Sequence, residues 1–265
     1  MITGLRTPGR SGSFGWEVKI ADDLEGISRL AAEEILQQVQ KARLSKTLFT
    51  MVLSGGSTPG QLYTLLVDES FVRNRLPWER MHFFWGDERH VPPDHPESNY
   101  RMACDSLFDA APVPPQNIHR VCAEESDAAI AAEKYEQELF SFFELASGQL
   151  PRFDCILLGM GPDGHTASLF PGTSALHANQ HLVVANWVEQ FHTYRITMTV
   201  PVLNNADFII FLVSGREKAE VLKKVLEGEL RPELLPAQLI RPDNGRLLWL
   251  VDRAAAGCLT DSLKV

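Results

Sequence analysis

The sequence has few cysteines, and their spacing fits neither disulfide cross-links nor a structural zinc site. The chain has 265 residues and four widely separated cysteines, Cys104, Cys122, Cys155 and Cys258, none in a Cys-x-x-Cys pair. Neither a disulfide framework nor a zinc ribbon is therefore predicted. With 45% hydrophobic residues, the chain can instead bury a substantial core, and its length is consistent with one large domain.

The sequence also lacks a long apolar segment and an excess of basic residues. No apolar run approaches the roughly 20 residues of a membrane-spanning helix, and the N-terminal stretch has no continuous apolar core, so we expect a cytoplasmic protein without membrane contacts. With 25 Lys plus Arg against 34 Asp plus Glu, the net charge of -9 argues against nucleic acid as a partner. A small anionic ligand stays possible, because a few local donors suffice to bind a phosphate.

Several short apolar runs predict β-strands. They span residues 47–54, 81–86, 153–159, 181–187, 194–200, 207–215 and 246–252. Most of these runs are almost continuously apolar, which is typical of strands that are covered on both faces.

Segments with helical periodicity lie between several of the predicted strands. It occurs at residues 24–42, 126–146 and 216–228, and in the first of these segments Ile27, Ala31, Ile35 and Val39 repeat every four positions. Strands that alternate with helices predict an α/β fold with a mostly parallel sheet and helices on both faces. No linker composition divides the chain, so residues 16–265 are predicted to form a single domain after a flexible tail of residues 1–15.

The stretch "VLSGGSTPGQLYTLL" (52–66) could bind a phosphate. A strand is followed by Ser54, Gly55, Gly56, Ser57 and Thr58. Thr58 is predicted to be a helix N-cap and Pro59 the first helical residue, so flexible backbone N–H groups and the positive end of a helix would meet in one loop. The stretch lacks the lysine of a nucleotide P-loop and the final glycine of a nucleophile elbow. A plain strand-to-helix turn is the alternative interpretation.

A second candidate follows the predicted strand at residues 81–86. Asp87, Glu88 and Arg89 come directly after Gly86. Ligands of open α/β sheets bind beyond the carboxyl ends of the strands, so these charges are site candidates, although a solvated turn has the same composition. The nearby histidines fit no standard metal spacing, and no metal site is predicted.

The stretch "LGMGPDGHTASLFPG" (158–172) contains the glycine spacing of a dinucleotide fingerprint. The glycines are Gly159, Gly161 and Gly164. A dinucleotide unit also requires an intact crossover helix, and Pro171 and Gly172 interrupt the segment that would form it. We interpret the spacing as coincidental and predict no nucleotide cofactor.

The same stretch places an acid two residues from an imidazole. Asp163 and His165 follow a predicted core strand, and on the residues alone His165 is either structural or catalytic. Arg195, within a predicted strand, and Lys218, after a Ser-Gly turn, could both point at one anion. Taken singly, each would be interpreted as a surface charge.

Four motifs together resemble the 6-phosphogluconolactonases. They are "SGGSTP", "WGDERHVPPDHPESNYRM", "GMGPDGHTASLFPG" and "RITMTVPVLNNA", and the similarity extends from about residue 20 to the C-terminus. The resemblance implies a Rossmann-like α/β fold shared with the glucosamine-6-phosphate isomerase/deaminases. It also implies hydrolysis of 6-phospho-D-glucono-1,5-lactone to 6-phosphogluconate in the pentose phosphate pathway, without a cofactor.

The resemblance also implies roles for the residues that match these motifs. His165 would be the general base that activates water, and Asp163 would orient it or contact sugar hydroxyls. A neutral imidazole suits this task, because an ordinary histidine pKa is about 6.5 and no covalent nucleophile is required. Arg89 and backbone N–H groups between Gly161 and Gly164 are the candidate donors to the developing oxyanion.

On the substrate-binding side, the loop of residues 54–58 would hold the phosphate together with Arg195 and Lys218. Asp87, Gly161 and the rest of the "GDER" segment would line the lactone pocket. The expected partner is thus a small phosphorylated sugar lactone, and a monomer is expected.

Two other functions share parts of this pattern. An amino-sugar-phosphate isomerase/deaminase has the same phosphate loop and Asp-Gly-His motif but carries a glutamate at the position of Phe170, which cannot transfer a proton. A non-catalytic sugar-phosphate sensor would keep the phosphate loop and tolerate loss of the acid–imidazole pair. A dehydrogenase is disfavoured by the interrupted crossover helix.

Overall fold

The computed structural model describes residues 4–6 and 15–263, whose strands belong to two sheets. The strands are β1 (Gly4–Arg6), β2 (Trp16–Ala21), β3 (Phe49–Leu53), β4 (Met81–Trp85), β5 (Asp87–Arg89), β6 (Ile118–His119), β7 (Cys155–Gly159), β8 (Val183–Val188), β9 (Thr193–Met198), β10 (Phe208–Val213) and β11 (Arg246–Asp252). The α-helices are α1 (Leu24–Ala42), α2 (Ser57–Asp68), α3 (Ser70–Arg73), α4 (Asn99–Ala103), α5 (Ala128–Phe142), α6 (Val200–Asn204) and α7 (Ala219–Glu227). None of these helices, within the described ranges, is long and apolar enough to cross a membrane.

The large sheet has the strand order β1-β2-β11-β10-β7-β3-β4-β6. All neighbours pair in parallel except β1, which adds an antiparallel strand at one edge. The predicted parallel α/β fold is confirmed. The chain leaves β3 toward β4 and leaves β7 toward β10, so the strand order reverses between β3 and β7. Loops that diverge at such a point open a crevice at the carboxyl ends of the strands.

The core follows the apolar patterns of the sequence. Every residue of β3 and β10 is buried, as expected for strands covered on both faces. The periodic residues of α1, which are Ile27, Ala31, Ile35 and Val39, are all buried as well. Asp23 caps the N-terminus of α1 by accepting a hydrogen bond from the Gly26 N–H at 2.9 Å.

The two runs at 181–187 and 194–200 form strands, but not in the parallel sheet. They are β8 and β9, an antiparallel hairpin that joins β5 in a separate three-stranded sheet. The loop of residues 189–192 is too short for the crossover that a parallel pair requires. The apolar content of the two runs did not reveal this separate sheet. One face of β9 is buried through Ile196 and Met198, while Arg195 lies on the other face.

Two helix boundaries also differ from the predictions. Helix α5 ends at Phe142, although the periodicity extended to residue 146, and residues 216–218 form a 3₁₀ turn before α7 begins at Ala219. Of the predicted flexible tail, residues 4–6 pair with β2, whereas residues 1–3 and 7–14 lie outside the described residues.

A histidine pair at the edge of the large sheet predicts a loss of stability in acid. His82 Nδ1 lies 3.0 Å from His119 Nε2, and His119 Nδ1 lies 2.7 Å from Glu138 Oε1. Burial, and then the neighbouring charge of His119, lower the pKa of His82 below its ordinary value. Below the ordinary histidine pKa, the unfolded chain therefore binds a proton at His82 more readily than the folded state does. The contribution of neutral His82 to the free energy of unfolding is complete above that pKa and declines as the pH falls below it.

We expect His82→Gln to reduce the loss of stability on acidification, because the amide cannot become charged. The measurement is the urea midpoint between about pH 7.5 and about pH 5.5, the range in which an ordinary histidine titrates. The exposed His177, replaced by glutamine, is the matched control and should keep the wild-type dependence. An unchanged pH dependence in His82→Gln would show that His82 does not carry the effect.

Candidate active site

A cavity of about 270 Å³ lies at the carboxyl ends of β3, β4 and β7, where the small sheet meets the large one. Most of the predicted site residues line it: Ser54, Gly55, Gly56, Asp87, Arg89, Gly161, His165, Arg195 and Lys218. Ser57 and Thr58 form the first turn of α2 beside the cavity, and Asp163 supports His165 from the neighbouring loop. Sequence motifs that lie far apart in the chain thus meet in one crevice at the switch point of the sheet.

The loop after β3 delivers the N-terminus of α2 to this cavity. Gly56, with φ 106°, is the N-cap, and α2 begins at Ser57. The prediction of Thr58 as the N-cap and Pro59 as the first helical residue was therefore wrong by two positions, because Gly56, with its positive φ, makes the turn two residues earlier. The first bond of the helix runs from Gly60 N–H to Gly56 C=O at 3.1 Å, so the N–H groups of Ser57 and Thr58 precede the helical ladder and suit an anion.

Neighbouring side chains fix the shape of this loop. The Tyr63 hydroxyl donates to Ser54 C=O at 2.8 Å and accepts from Ser54 N–H at 2.9 Å. A Cβ at Gly55 would overlap the side-chain amide of Asn99, which itself donates to Asp87 C=O at 2.8 Å. Glycine is thus required at position 55 for close packing, and Asn99 connects the loop after β3 to the loop after β4.

An acid–imidazole pair forms in the loop after β7. His165 Nδ1 lies 2.5 Å from Asp163 Oδ1, which also accepts the His165 backbone N–H at 3.1 Å. Burial alone raises the pKa of Asp163, but the hydrogen bond and charge of His165 outweigh it and hold that pKa below its ordinary value. An ionised Asp163 accepts the Nδ1 proton and leaves Nε2 as the basic nitrogen of the ring.

Two residues position the imidazole ring by contact. Phe170 stacks on His165 with ring centroids 4.1 Å apart and an interplanar angle of 27°. On the other side a Cβ at Gly161 would overlap Cε1 and Nδ1 of His165. Gly161 therefore lets the backbone approach the ring closely, and Phe170 packs on the ring by stacking.

Several backbone amides of this loop are bonded within the protein. Gly161 N–H donates to His165 C=O at 2.9 Å, and Gly164 N–H donates to Gly161 C=O at 3.0 Å. Pro162 has no N–H, and the His165 N–H is bonded to Asp163. The Gly161 and Gly164 donors thus hold the fold of their own loop, and these bonds do not involve the Asp163 N–H. That amides between Gly161 and Gly164 stabilise an oxyanion stays a prediction.

Two arginines enter the cavity from adjacent strands. Arg89 of β5 pairs directly with Arg195 of β9, and both line the cavity. Arg89 Nη1 donates to Glu97 C=O at 2.6 Å, which fixes its guanidinium. Burial, and then the charge of Arg89, lower the pKa of Arg195, and its buried Nε has no hydrogen-bond partner among the described residues. This pair of cations is suited to an anionic ligand.

Lys218 adds a third cation at the end of the 3₁₀ turn before α7. Burial lowers its pKa, while Glu217 and then Asp163 oppose that change. Because the charge of Asp163 affects the pKa of Lys218, the cationic side of the cavity is electrostatically coupled to the acid–imidazole pair.

Successive side chains of β5 point to opposite faces, so the three charged residues of the "GDER" segment do not all face the cavity. Asp87 and Arg89 face the cavity, and Asp87 Oδ2 accepts the Ser168 hydroxyl at 2.6 Å. Glu88 points the other way, is only 2% exposed, and accepts the N–H groups of Arg89, Asn99 and Tyr100. Burial raises the pKa of Glu88. Its role is to hold the segment against α4, in contrast to the ligand-facing charges on either side.

Sequence reasoning missed several residues of the site. Asn99 and Ser168 join loops across the cavity, Tyr63 fixes Ser54, and the ring of Phe191 borders the cavity. Tyr63, Asn99 and Ser168 lie within the quoted stretches, and Phe191 lies outside them. No local pattern distinguishes these residues from their neighbours in the sequence, so only their contacts in the structure identify them.

Comparisons with known proteins show which family the chain resembles. A family model described as glucosamine-6-phosphate isomerases/6-phosphogluconolactonase matches residues 22–249. The 6-phosphogluconolactonase of Nostoc sp. is 40% identical over 243 residues, 92% of this chain and 98% of that protein. The 6-phosphogluconolactonase of Synechocystis sp. is 42% identical over 83% of this chain and 89% of that protein. The crystal structure of 6-phosphogluconolactonase from Thermotoga maritima is 33% identical with a TM-score of 0.75, covering 89% of this chain and 98% of that one.

Proposed function

Because the chain belongs to the glucosamine-6-phosphate isomerase/6-phosphogluconolactonase family, we propose that it hydrolyses 6-phospho-D-glucono-1,5-lactone to 6-phospho-D-gluconate, a step of the pentose phosphate pathway. The observation that carries the proposal is the 2.5 Å contact of His165 with Asp163 in a cavity that also contains a helix N-terminus and three cations. The phosphate of the substrate would bind at the helix N-terminus, and the ester of the same molecule would lie beside the His165–Asp163 pair.

In this mechanism His165 Nε2 takes a proton from water as the water oxygen attacks C1 of the lactone. Asp163 keeps the Nδ1 proton in place and balances the imidazolium that forms. The tetrahedral intermediate then breaks the C1–ring oxygen bond, and His165 returns the proton to that oxygen. One water is consumed, and the products are the open-chain hydroxyl and a carboxylate, which releases its own proton to solvent.

The phosphate end of the substrate would bind at the start of α2. The N–H groups of Ser57 and Thr58 precede the helical ladder, and Arg195 and Lys218 line the same cavity. Both cations have lowered pKa values, chiefly because they are buried, so an anionic phosphate would compensate for their lost hydration. This set of donors supports the phosphate assignment better than charge alone.

Arg89 is the proposed donor to the oxyanion at C1. It lines the cavity and its guanidinium is fixed by the bond to Glu97 C=O. The amides of Gly161 and Gly164 are bonded within their own loop, whereas the Arg89 side chain lines the cavity, and this difference favours Arg89 as the donor. Asp87, held by Ser168, is placed to accept a sugar hydroxyl.

A coupled assay tests the proposal directly. Freshly prepared lactone is supplied, 6-phosphogluconate is detected by its oxidation, and the rate is compared with spontaneous hydrolysis. Glucosamine 6-phosphate is tested in parallel. Because Phe170, which stacks on His165, cannot transfer a proton, we expect no release of ammonia from this compound. Lactone hydrolysis at the background rate would refute the proposal, and binding of 6-phosphogluconate without turnover would indicate a sensor.

Gly161→Ala is expected to lower kcat at least about tenfold, because misplacement of a catalytic group is costly. The added methyl group would overlap the His165 ring and displace it from Asp163. Gly159→Ala is the matched variant, since its Cβ would come no closer than 3.9 Å to Ser54 Oγ, and it should retain most of the activity. Equal activity in the two variants would show that the ring tolerates the shift.

A further inference from the structure

The hairpin between β8 and β9 places an exposed aromatic side chain at the mouth of the active-site cavity. Phe191 ends the 3₁₀ turn Glu189–Phe191 and is followed by His192 in the left-handed region, with φ 47°. Phe191 is 50% exposed although it lines the cavity. A half-exposed phenyl ring beside polar catalytic groups gains little from folding, so its position is better explained by what it contacts.

The Phe191 ring touches both functional ends of the site. Its ring centroid lies 5.8 Å from that of Phe170 at an interplanar angle of 76°, and Phe170 stacks on His165. The Arg195 guanidinium carbon lies 5.3 Å from the centroid of the Phe191 ring, within cation–π range. Phe191 therefore spans the distance between the ring that supports the general base and the cation assigned to the phosphate.

Between those two ends, the proposed substrate presents the lactone ring. A sugar ring has an apolar C–H face, and ligand sites commonly cover such surface with aromatic side chains while a few polar groups fix orientation. The cavity is also lined by the polar residues Asp87 and Arg89 and by the apolar residues Met160, Pro162, Ala167 and Phe170, of which Met160 and Phe170 are buried while Phe191 is half-exposed at the mouth. Phe191 is placed to supply an apolar cover.

We infer that Phe191 is a substrate-positioning residue that packs on the C–H face of the lactone ring and covers the cavity. This inference rests on the proposed function and adds a specificity determinant to it. The contact with Arg195 is secondary: it holds the hairpin tip over the site, while the ring itself contacts the sugar. Loss of the phenyl ring should therefore weaken binding of the sugar more than binding of phosphate alone.

The test compares Phe191→Leu with Phe191→Trp and with Tyr194→Leu. Phe191→Leu should raise KM for the lactone about tenfold with a much smaller change in kcat, and Phe191→Trp should restore KM to near the wild-type value. Tyr194 is an exposed aromatic residue of the same hairpin that packs on Trp187, and its substitution should leave KM unchanged. Thermal unfolding checks that all variants are folded.

Competitive inhibition by inorganic phosphate separates the two contacts of the ring. The inference predicts that Phe191→Leu raises the phosphate inhibition constant much less than KM for the lactone. An equal rise in both would overturn it, because Phe191 would then act only through Arg195. An unchanged KM in a wild-type-like folded Phe191→Leu would also overturn it, whereas absence of lactone hydrolysis in the wild type would refute the proposed function itself.

Discussion

His165→Ala is expected to lower kcat for lactone hydrolysis at least about 100-fold, with a modest change in KM. The imidazole is the group that takes the proton of the attacking water, and the alanine variant keeps the phosphate contacts that dominate binding. The measurement is steady-state kinetics in the coupled assay after subtraction of spontaneous hydrolysis.

Two further substitutions make this result interpretable. Asp163→Asn should also lower kcat, because the amide cannot stabilise an imidazolium and favours the wrong tautomer of His165. His177→Ala removes an exposed histidine of the segment that follows the site and should leave kcat unchanged. Near-normal turnover of His165→Ala would remove His165 from its proposed role.

Arg195→Ala is expected to raise KM by roughly thirtyfold, equivalent to about 2 kcal/mol for the loss of a charge-assisted contact to the phosphate. Burial lowers the pKa of its guanidinium, and its Nε has no partner among the described residues, so this N–H is available to donate to a phosphate oxygen. Arg195→Lys should recover part of the affinity, because it restores the charge but not the bidentate fork. The effect is measured as KM and as the inhibition constant of inorganic phosphate.

The control for Arg195 is Arg253→Ala, which removes an exposed cation paired with Asp22 and tests the effect of net charge alone. KM should be unchanged in this variant. If Arg195→Ala left both KM and the phosphate inhibition constant unchanged, the phosphate would have to bind elsewhere.

The sequence predicted well those features that depend on local pattern. Continuous apolar runs indicated the parallel strands, and the four-residue repeat of Ile27, Ala31, Ile35 and Val39 identified the buried face of α1. The interruption at Pro171 excluded a crossover helix, and the structure has only a loop and a short 3₁₀ turn between β7 and β8. The motif positions of His165 and Lys218 led to residues that share one cavity.

The sequence could not predict features that depend on which segments become neighbours. An apolar run does not reveal its partner strand, so the sequence could not show that β8 and β9 form a separate sheet with β5. Whether a loop amide is already bonded depends on the positions of all acceptors, so the sequence could not show that the Gly161 and Gly164 amides bond within their own loop. The pairing of Arg89 with Arg195 likewise depends on the register of β5 and β9.

The most direct test of the account is a crystal structure with 6-phospho-D-gluconate bound. The account predicts the phosphate at the N-terminus of α2, in contact with Arg195 and Lys218, and the C1 carboxylate within about 3.5 Å of His165 Nε2. A phosphate bound away from α2, or a C1 group that lies beyond the reach of His165 while the phosphate occupies that site, would contradict it.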